Sequence, residues 1–174
     1  MVADNTRGKN GAKFKALFGR KGRKIVRKHK KHQKVTGNLG KIQEIKKIED
    51  MPYDVETNSS LFDGYLVITD KHTFAVLIDN HQQSCENWGY MHSEDDLEKF
   101  IGADLYEIKL TDIARNVHKL KEICPYVKAD QIQFVDFKTT KGTFQLVAYN
   151  EQNGFYGHKI IVLQDQVAFR EGEI

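Results

Sequence analysis

The chain has 174 residues, 40% of them hydrophobic and 10% aromatic, with thirteen Gly, two Pro and two Cys. That length and apolar share suit one domain with an appendage and exclude a collagenous or wholly disordered chain. The net charge of +3 hides a division: residues 1–47 hold sixteen Lys/Arg and two acids, and residues 48–174 hold eleven Lys/Arg and twenty-two acids, so the two parts carry +14 and −11.

Cys85 and Cys124 are too few to staple a secreted mini-protein and suit a reducing compartment. No apolar run approaches the roughly 18 residues of a membrane span, and no signal-peptide core opens the chain. The expectation is a soluble, cytoplasmic protein with no membrane partner.

Residues 1–47 read as a basic arm, disordered or helical on binding, because so dense a positive run repels itself and buries little. Arg20, Lys21, Arg23, Lys24, Arg27, Lys28, Lys30 and Lys31 form its centre. They are the candidates for nucleic-acid or partner contact, since each Lys or Arg against a phosphate releases counterions. Phe14, Leu17, Phe18 and Ile25 lie at near-helical spacing. No helix-turn-helix, zinc-finger or RNA-recognition motif accompanies the charge, so a sequence-specific reader is not expected.

Residues 48–174 read as an acidic domain of the α+β class, an antiparallel β-sheet with one or two short helices. Residues 64–69 and 73–79 are β-rich runs joined by the polar turn Asp70-Lys71-His72, a hairpin. Ser93 followed by Glu94, Asp95 and Asp96 predicts a capped helix over 94–101, closed by Gly102. A strand follows over 104–110, then helical spacing over 112–123 closed by Pro125. Residues 131–139, 143–149 and 157–163 complete the strands, and connections this short favour antiparallel pairing.

Two segments differ from ordinary connections. The first runs Asp79-Asn80-His81-Gln82-Gln83-Ser84-Cys85-Glu86-Asn87-Trp88-Gly89-Tyr90, and the second Tyr149-Asn150-Glu151-Gln152-Asn153-Gly154-Phe155-Tyr156-Gly157-His158. Each follows an apolar strand, and an antiparallel sheet can bring the two strand ends to one edge. His81, Cys85 and His158 are then candidate ligands for one structural zinc ion, because imidazole and thiolate suit that metal. Glu86, Asp79, Cys124 or water is left to complete the set. Trp88, Tyr90, Phe155 and Tyr156 read either as plugs closing the end of the sheet or as a binding platform. His72, His92 and His118 read as surface residues.

Three motifs together resemble an uncharacterised domain family of Gram-positive bacteria, their phages and mobile elements. They are Asn80-His81-Gln82-x-x-Cys85-Glu86-Asn87-Trp88-Gly89-Tyr90, then Asp95-Asp96-Leu97-x-x-Phe100-Ile101-Gly102-Ala103 with Asp112, then Tyr149-Asn150-x-x-Asn153-Gly154-Phe155-Tyr156-Gly157-His158. The resemblance spans roughly residues 60–165, has Ser84-Cys85 where the family usually has a Cys-Cys pair, and implies no enzymatic activity. It implies the cytoplasm of a host bacterial cell. A basic arm ahead of a small acidic domain is also similar to some phage anti-CRISPR proteins that inhibit the type II nuclease.

The resulting expectation is a non-enzymatic, phage-type inhibitor with no catalytic residues. It would bind the type II CRISPR nuclease, block DNA binding or cleavage, and touch RNA through the arm. The alternatives are an RNA- or DNA-binding accessory protein, or a zinc-dependent enzyme on nucleic acid with Glu86 as general base. No P-loop, dinucleotide fingerprint, nucleophile elbow or His-Glu-x-x-His pattern occurs in the chain.

Overall fold

Long runs of β-branched and aromatic residues assemble ten strands in this computed structural model, which describes residues 34–55, 58–81, 85–151, 156–165 and 167–174. In chain order these are β1 (Lys34–Thr36), β2 (Ile42–Val55), β3 (Asn58–Thr69), β4 (Thr73–Asp79), β5 (Asn87–His92), β6 (Leu105–Thr111), β7 (Ile132–Thr139), β8 (Gly142–Glu151), β9 (Lys159–Gln164) and β10 (Val167–Glu173). Among the described residues one α-helix, α1 (Val117–Ile123), and two short 3-10 turns, Glu98–Phe100 and Ala129–Gln131, accompany them. The arm residues from Arg20 to Lys31 lie outside the described residues.

The strands form two five-stranded sheets, both antiparallel throughout. Sheet I has the order β1-β6-β7-β8-β5, and sheet II the order β10-β9-β4-β3-β2. Between them Tyr65, Val67, Phe74, Val76 and Val162 of sheet II meet Leu105, Ile108, Val135, Phe137, Phe144 and Leu146 of sheet I. At the β7–β8 turn, Phe137 stacks on Phe144 with centroids 4.9 Å apart, and Phe100 packs on the same ring at 4.8 Å. Burying such rings removes large apolar area from water and supplies most of the cohesion here.

Successive inward side chains of β5 show how the sheets cross. Trp88 stacks on His158 beside β9, Tyr90 meets Tyr65 on β3, and Lys47 of β2 lies 5.8 Å from the Tyr90 ring centre. Strand β5 therefore runs across the strands of sheet II rather than along them, as in an orthogonal packing. The chain passes from sheet I to sheet II at residues 37–42. Gly40 turns it there with φ +97°, a region that favours glycine.

Sheet II is apolar on its other face too, where Phe62, Leu66, Leu77, Ile161 and Leu163 are buried with Met51. Bulges in β2 between Ile48 and Met51, and in β10 between Ala168 and Arg170, coil this sheet. Tyr53 on β2 is raised above the usual phenol range by burial first and then by the Glu171 carboxylate on β10. Four strand spacings would hold those edges roughly 19 Å apart in a flat sheet, and Tyr53 of β2 and Ala168 of β10 pack against the same cluster on this face. Gly64 is required for close approach, because a Cβ there would lie 2.0 Å from the Val76 carbonyl oxygen.

Several local expectations change. Strands β1 and β2 take up residues 34–47, which charge alone assigns to the arm, and Leu39 and Ile42 are buried in the core. The helix expected over 94–101 shrinks to the 3-10 turn Glu98–Phe100. Ser93 does not cap it: the buried Ser93 hydroxyl accepts the Gln145 backbone N–H at 3.0 Å. The helix expected over 112–123 begins at Val117, where the Asn116 side chain accepts the Lys119 N–H. Strands β5 and β10 occupy segments that the sequence pattern leaves as connections.

Candidate functional site

The two unusual segments meet at one end of the sandwich, although roughly seventy residues separate them. Strand β4 ends at Asp79, β5 begins just after Glu86, β8 ends just after Asn150, and β9 begins just after His158. Four strand ends from two sheets therefore surround one point.

His158 lies at its centre. Its Nδ1 is 2.6 Å from the Asp79 carbonyl oxygen and its Nε2 is 3.0 Å from Glu86 Oε1, with the two side chains 2% and 1% exposed. A carbonyl only accepts, so Nδ1 carries a hydrogen and donates it. The Nε2 contact is a hydrogen bond when one proton lies between the ring nitrogen and the carboxyl group, and such mutual pairing is what two polar groups need in so dry a place. The Trp88 indole lies over the imidazole at 4.9 Å and 27°, closing it from above.

The backbone and Asn150 tie the same point to the end of β10. His158 N–H donates to the Ile174 carbonyl at 2.9 Å, and Ile174 N–H donates back to the His158 carbonyl at 3.0 Å. The fully buried Asn150 donates its side-chain amide to the Tyr156 carbonyl at 2.8 Å and to the Ile174 carbonyl at 3.0 Å. Its Oδ1 is buried without a hydrogen-bond partner among the described residues. The cluster links β4, β5, β8, β9 and β10 by polar contacts in place of further apolar packing.

Of the expected zinc ligands, the structure brings together His158 and Glu86 and leaves His81 and Cys85 exposed. Asp79 contributes its main-chain carbonyl, while its carboxylate accepts the His81 N–H at 2.8 Å. Cys124 lies elsewhere, buried beneath α1, where its Sγ donates to the Leu120 carbonyl and burial pushes the thiol up to about 11. Among the described residues no group of three or more His, Cys, Asp or Glu side chains is close enough to hold a metal ion. A structural zinc needs four donors, and of the expected ligands the described residues bring two together.

The proposed aromatic platform divides. Trp88 and Tyr90 face inward against His158 and Tyr65, Tyr156 is exposed, and Phe155 lies outside the described residues. Two of the three histidines read as surface groups are half-buried: His72 Nδ1 is 2.9 Å from Asp165 Oδ2, and the His92 ring packs edge-on against Tyr65. Burial first, then Lys119, holds the His92 imidazole below its usual range. His118 is exposed and reaches Glu122 one turn on.

One network escapes the sequence reading. Buried Gln145 donates to Asp136 Oδ1 and the Ile113 carbonyl, and accepts the Arg115 N–H. Together with Ser93 it fastens the segment before α1 to β5, β7 and β8. A Gln within an apolar strand is the only local sign of it.

Two crossed antiparallel sheets closed at one end by a buried polar cluster define the class of domain. The chain belongs to an uncharacterised family, the domain of unknown function DUF7448, whose model matches residues 22–162. No curated protein and no solved structure is significantly similar to it. Among the described residues no helix is long and apolar enough to cross a membrane.

Proposed function

We propose that this protein is a non-enzymatic inhibitor or adaptor that binds a nucleic-acid-processing protein, in its most concrete form the type II RNA-guided nuclease. One observation carries the reading: charge of opposite sign is segregated along the chain, +14 over residues 1–47 and −11 over residues 48–174. Residues 1–33 hold twelve Lys/Arg and one acid, a net +11, and residues 34–174 hold fifteen Lys/Arg and twenty-three acids, a net −8. Among the described residues the first strand starts at Lys34, so β1 and the start of β2 still belong to the positive stretch. The described residues of the negative part form two sheets, with Asp95, Asp96, Glu98 and Asp104 exposed along one connection.

Such a body complements the basic channels in which an RNA-guided nuclease holds its heteroduplex and displaced strand. The arm complements RNA or DNA phosphates. Complementary fields speed encounter and penalise wrong partners. The burial of His158 and Glu86 against each other favours a binding role over a catalytic one, because their contact ties the two sheets together.

Co-purification of the nuclease–guide complex with the full-length protein, followed by a DNA-cleavage assay, tests this. Co-elution with cleavage suppressed at stoichiometric protein is expected. Undiminished cleavage in excess protein, without co-elution, rejects the nuclease as partner. Replacing the eight basic residues from Arg20 to Lys31 by Ser distinguishes the alternative in which the arm alone acts. That alternative loses all binding, whereas here the body keeps its protein partner.

A further inference from the structure

The outer face of sheet I divides in two. Towards α1 it is apolar and covered, with Met91, Phe134, Val147 and Tyr149 packed against Ala114, Leu120 and Val127. Over β1 and the facing parts of β6 and β7 it is polar. Val35, Ile108 and Phe137 point into the core between the sheets, so by alternation Lys34, Thr36, Lys109, Asp136 and Lys138 lie outward. A register shift between Leu105 and Glu107 adds one more residue to this face. Leu105 and Ile108 are both buried in the core although three positions apart, which an unbroken pleat does not allow. The bulge sets Tyr106 and Glu107 both outside, and Tyr106 is 48% exposed. No apolar cluster among the described residues includes that ring.

The charges around Tyr106 are arranged for an anion. Lys34 and Lys109 stand directly opposite each other, a like-charge pair that costs stability in a sheet. Lys138 Nζ donates to Glu107 Oε1 at 2.6 Å. That hydrogen bond first, and then the charges of Lys138, Lys34 and Lys109, hold the Glu107 carboxyl below its usual range. The other acid here, Asp136, accepts a hydrogen bond from Gln145 through Oδ1. Beyond the bulge Lys41 and Asp104 are cross-strand neighbours and offset each other. Three lysines against two carboxylates leave this face at +1, in a body whose residues 34–174 carry −8. Residues 1–33, with net +11, join the body at Lys34, on the same face.

We propose that Tyr106 is a stacking platform for an unpaired base of single-stranded RNA, on the sheet face where the basic arm joins the body. This rests on the arm binding phosphates, as proposed above. A strand gripped along the arm towards Lys31 runs next onto this face. A phosphate placed between Lys34 and Lys109 relieves their repulsion. Tyr106 lies about 10 Å further along β6, within reach of a base on the same strand. Every base has a π-face, so the ring takes any of them and no sequence is read. The net charge of the face adds less than one phosphate contact to the salt dependence set by the arm. The ring, and not the salt slope, therefore reports this contact.

The test is titration of a short fluorescent single-stranded RNA with the full chain at low salt, beside inorganic polyphosphate as a polyanion without bases. It is run for the wild type, Tyr106→Ala, Tyr106→Phe and the variant with the eight arm residues changed to Ser. Tyr106→Ala should bind RNA about tenfold more weakly, Tyr106→Phe should match the wild type, and all three should bind polyphosphate alike. RNA affinity of Tyr106→Ala within about twofold of wild type, or an equal loss on polyphosphate, overturns the platform and leaves the arm's role standing. RNA binding that the arm variant does not weaken rejects the arm as the grip, and the platform with it. Should Tyr106→Ala not fold, photo-crosslinking of thiouridine-substituted RNA to the wild type decides. An adduct on Tyr106 is expected, and adducts confined to residues 1–33 overturn the proposal.

Discussion

Strand β8 joins two ends of the molecule that are held in different ways. At Phe144 three aromatic rings pack on one another, and at Asn150, about 20 Å along the strand, the packing gives way to the Glu86–His158 cluster. The aromatic end is non-directional, so each ring contributes whatever its neighbours are. The polar end is directional: a buried donor or acceptor contributes only while its partner remains, and becomes a liability when that partner is removed.

The largest effect expected is at these two ends. Phe144→Ala should cost about 3–5 kcal/mol in urea unfolding through the cavity it leaves. Glu86→Ala should cost a similar 3–5 kcal/mol or so by stranding the imidazole. The two ends then separate on conservative change. Glu86→Gln retains a donor for His158 Nε2 and should recover most of that loss, to within about 1 kcal/mol of wild type. If Glu86→Gln unfolds as readily as Glu86→Ala, the cluster needs the acidic proton and the hydrogen-bond account of it is wrong.

Smaller effects sharpen the contrast away from the ends. Asn116→Ala removes the cap of α1 and should cost about 1 kcal/mol, with Asn116→Gly milder. His92 is held below its usual range by burial and Lys119, so the unfolded chain binds more protons there. Stability should therefore fall as pH drops through about 6.5 towards the lowered folded value, and a His92→Asn variant should flatten that part of the profile. A chelator should leave the unfolding midpoint unchanged, and a lowered midpoint restored by zinc would put a metal back at the His158 end.

What could be read beforehand follows this same division. Strands β3, β4, β7 and β8 are legible because Val, Ile, Phe and Leu recur on a pleat that is buried on one or both faces. Strand β2 is concealed because its exposed edge carries Lys46, Lys47 and Glu44, which prolong the charge pattern of the residues before it. Strand β5 is concealed because Asn87, Trp88 and Gly89 carry turn and aromatic character while pairing as a strand. At 93–96 a cap-like Ser and three acids imitate a helix start, yet Gln145 takes the hydroxyl. At the site, His158 and Glu86 are legible as neighbours from their motifs. Their roles are not, because the imidazole's second partner is a main-chain carbonyl, which any residue type supplies.

The central claim is the division of labour between a cationic leader and an anionic body. It is met most directly by titrating fluorescent single-stranded RNA with the full-length protein at several salt concentrations, beside the variant with Arg20, Lys21, Arg23, Lys24, Arg27, Lys28, Lys30 and Lys31 changed to Ser. If all eight engage phosphates, log K should fall with log salt at a slope of about −5 to −6 for the wild type and near zero for the variant. Equal slopes for the two proteins, or no RNA binding at low salt by the wild type, would contradict the account.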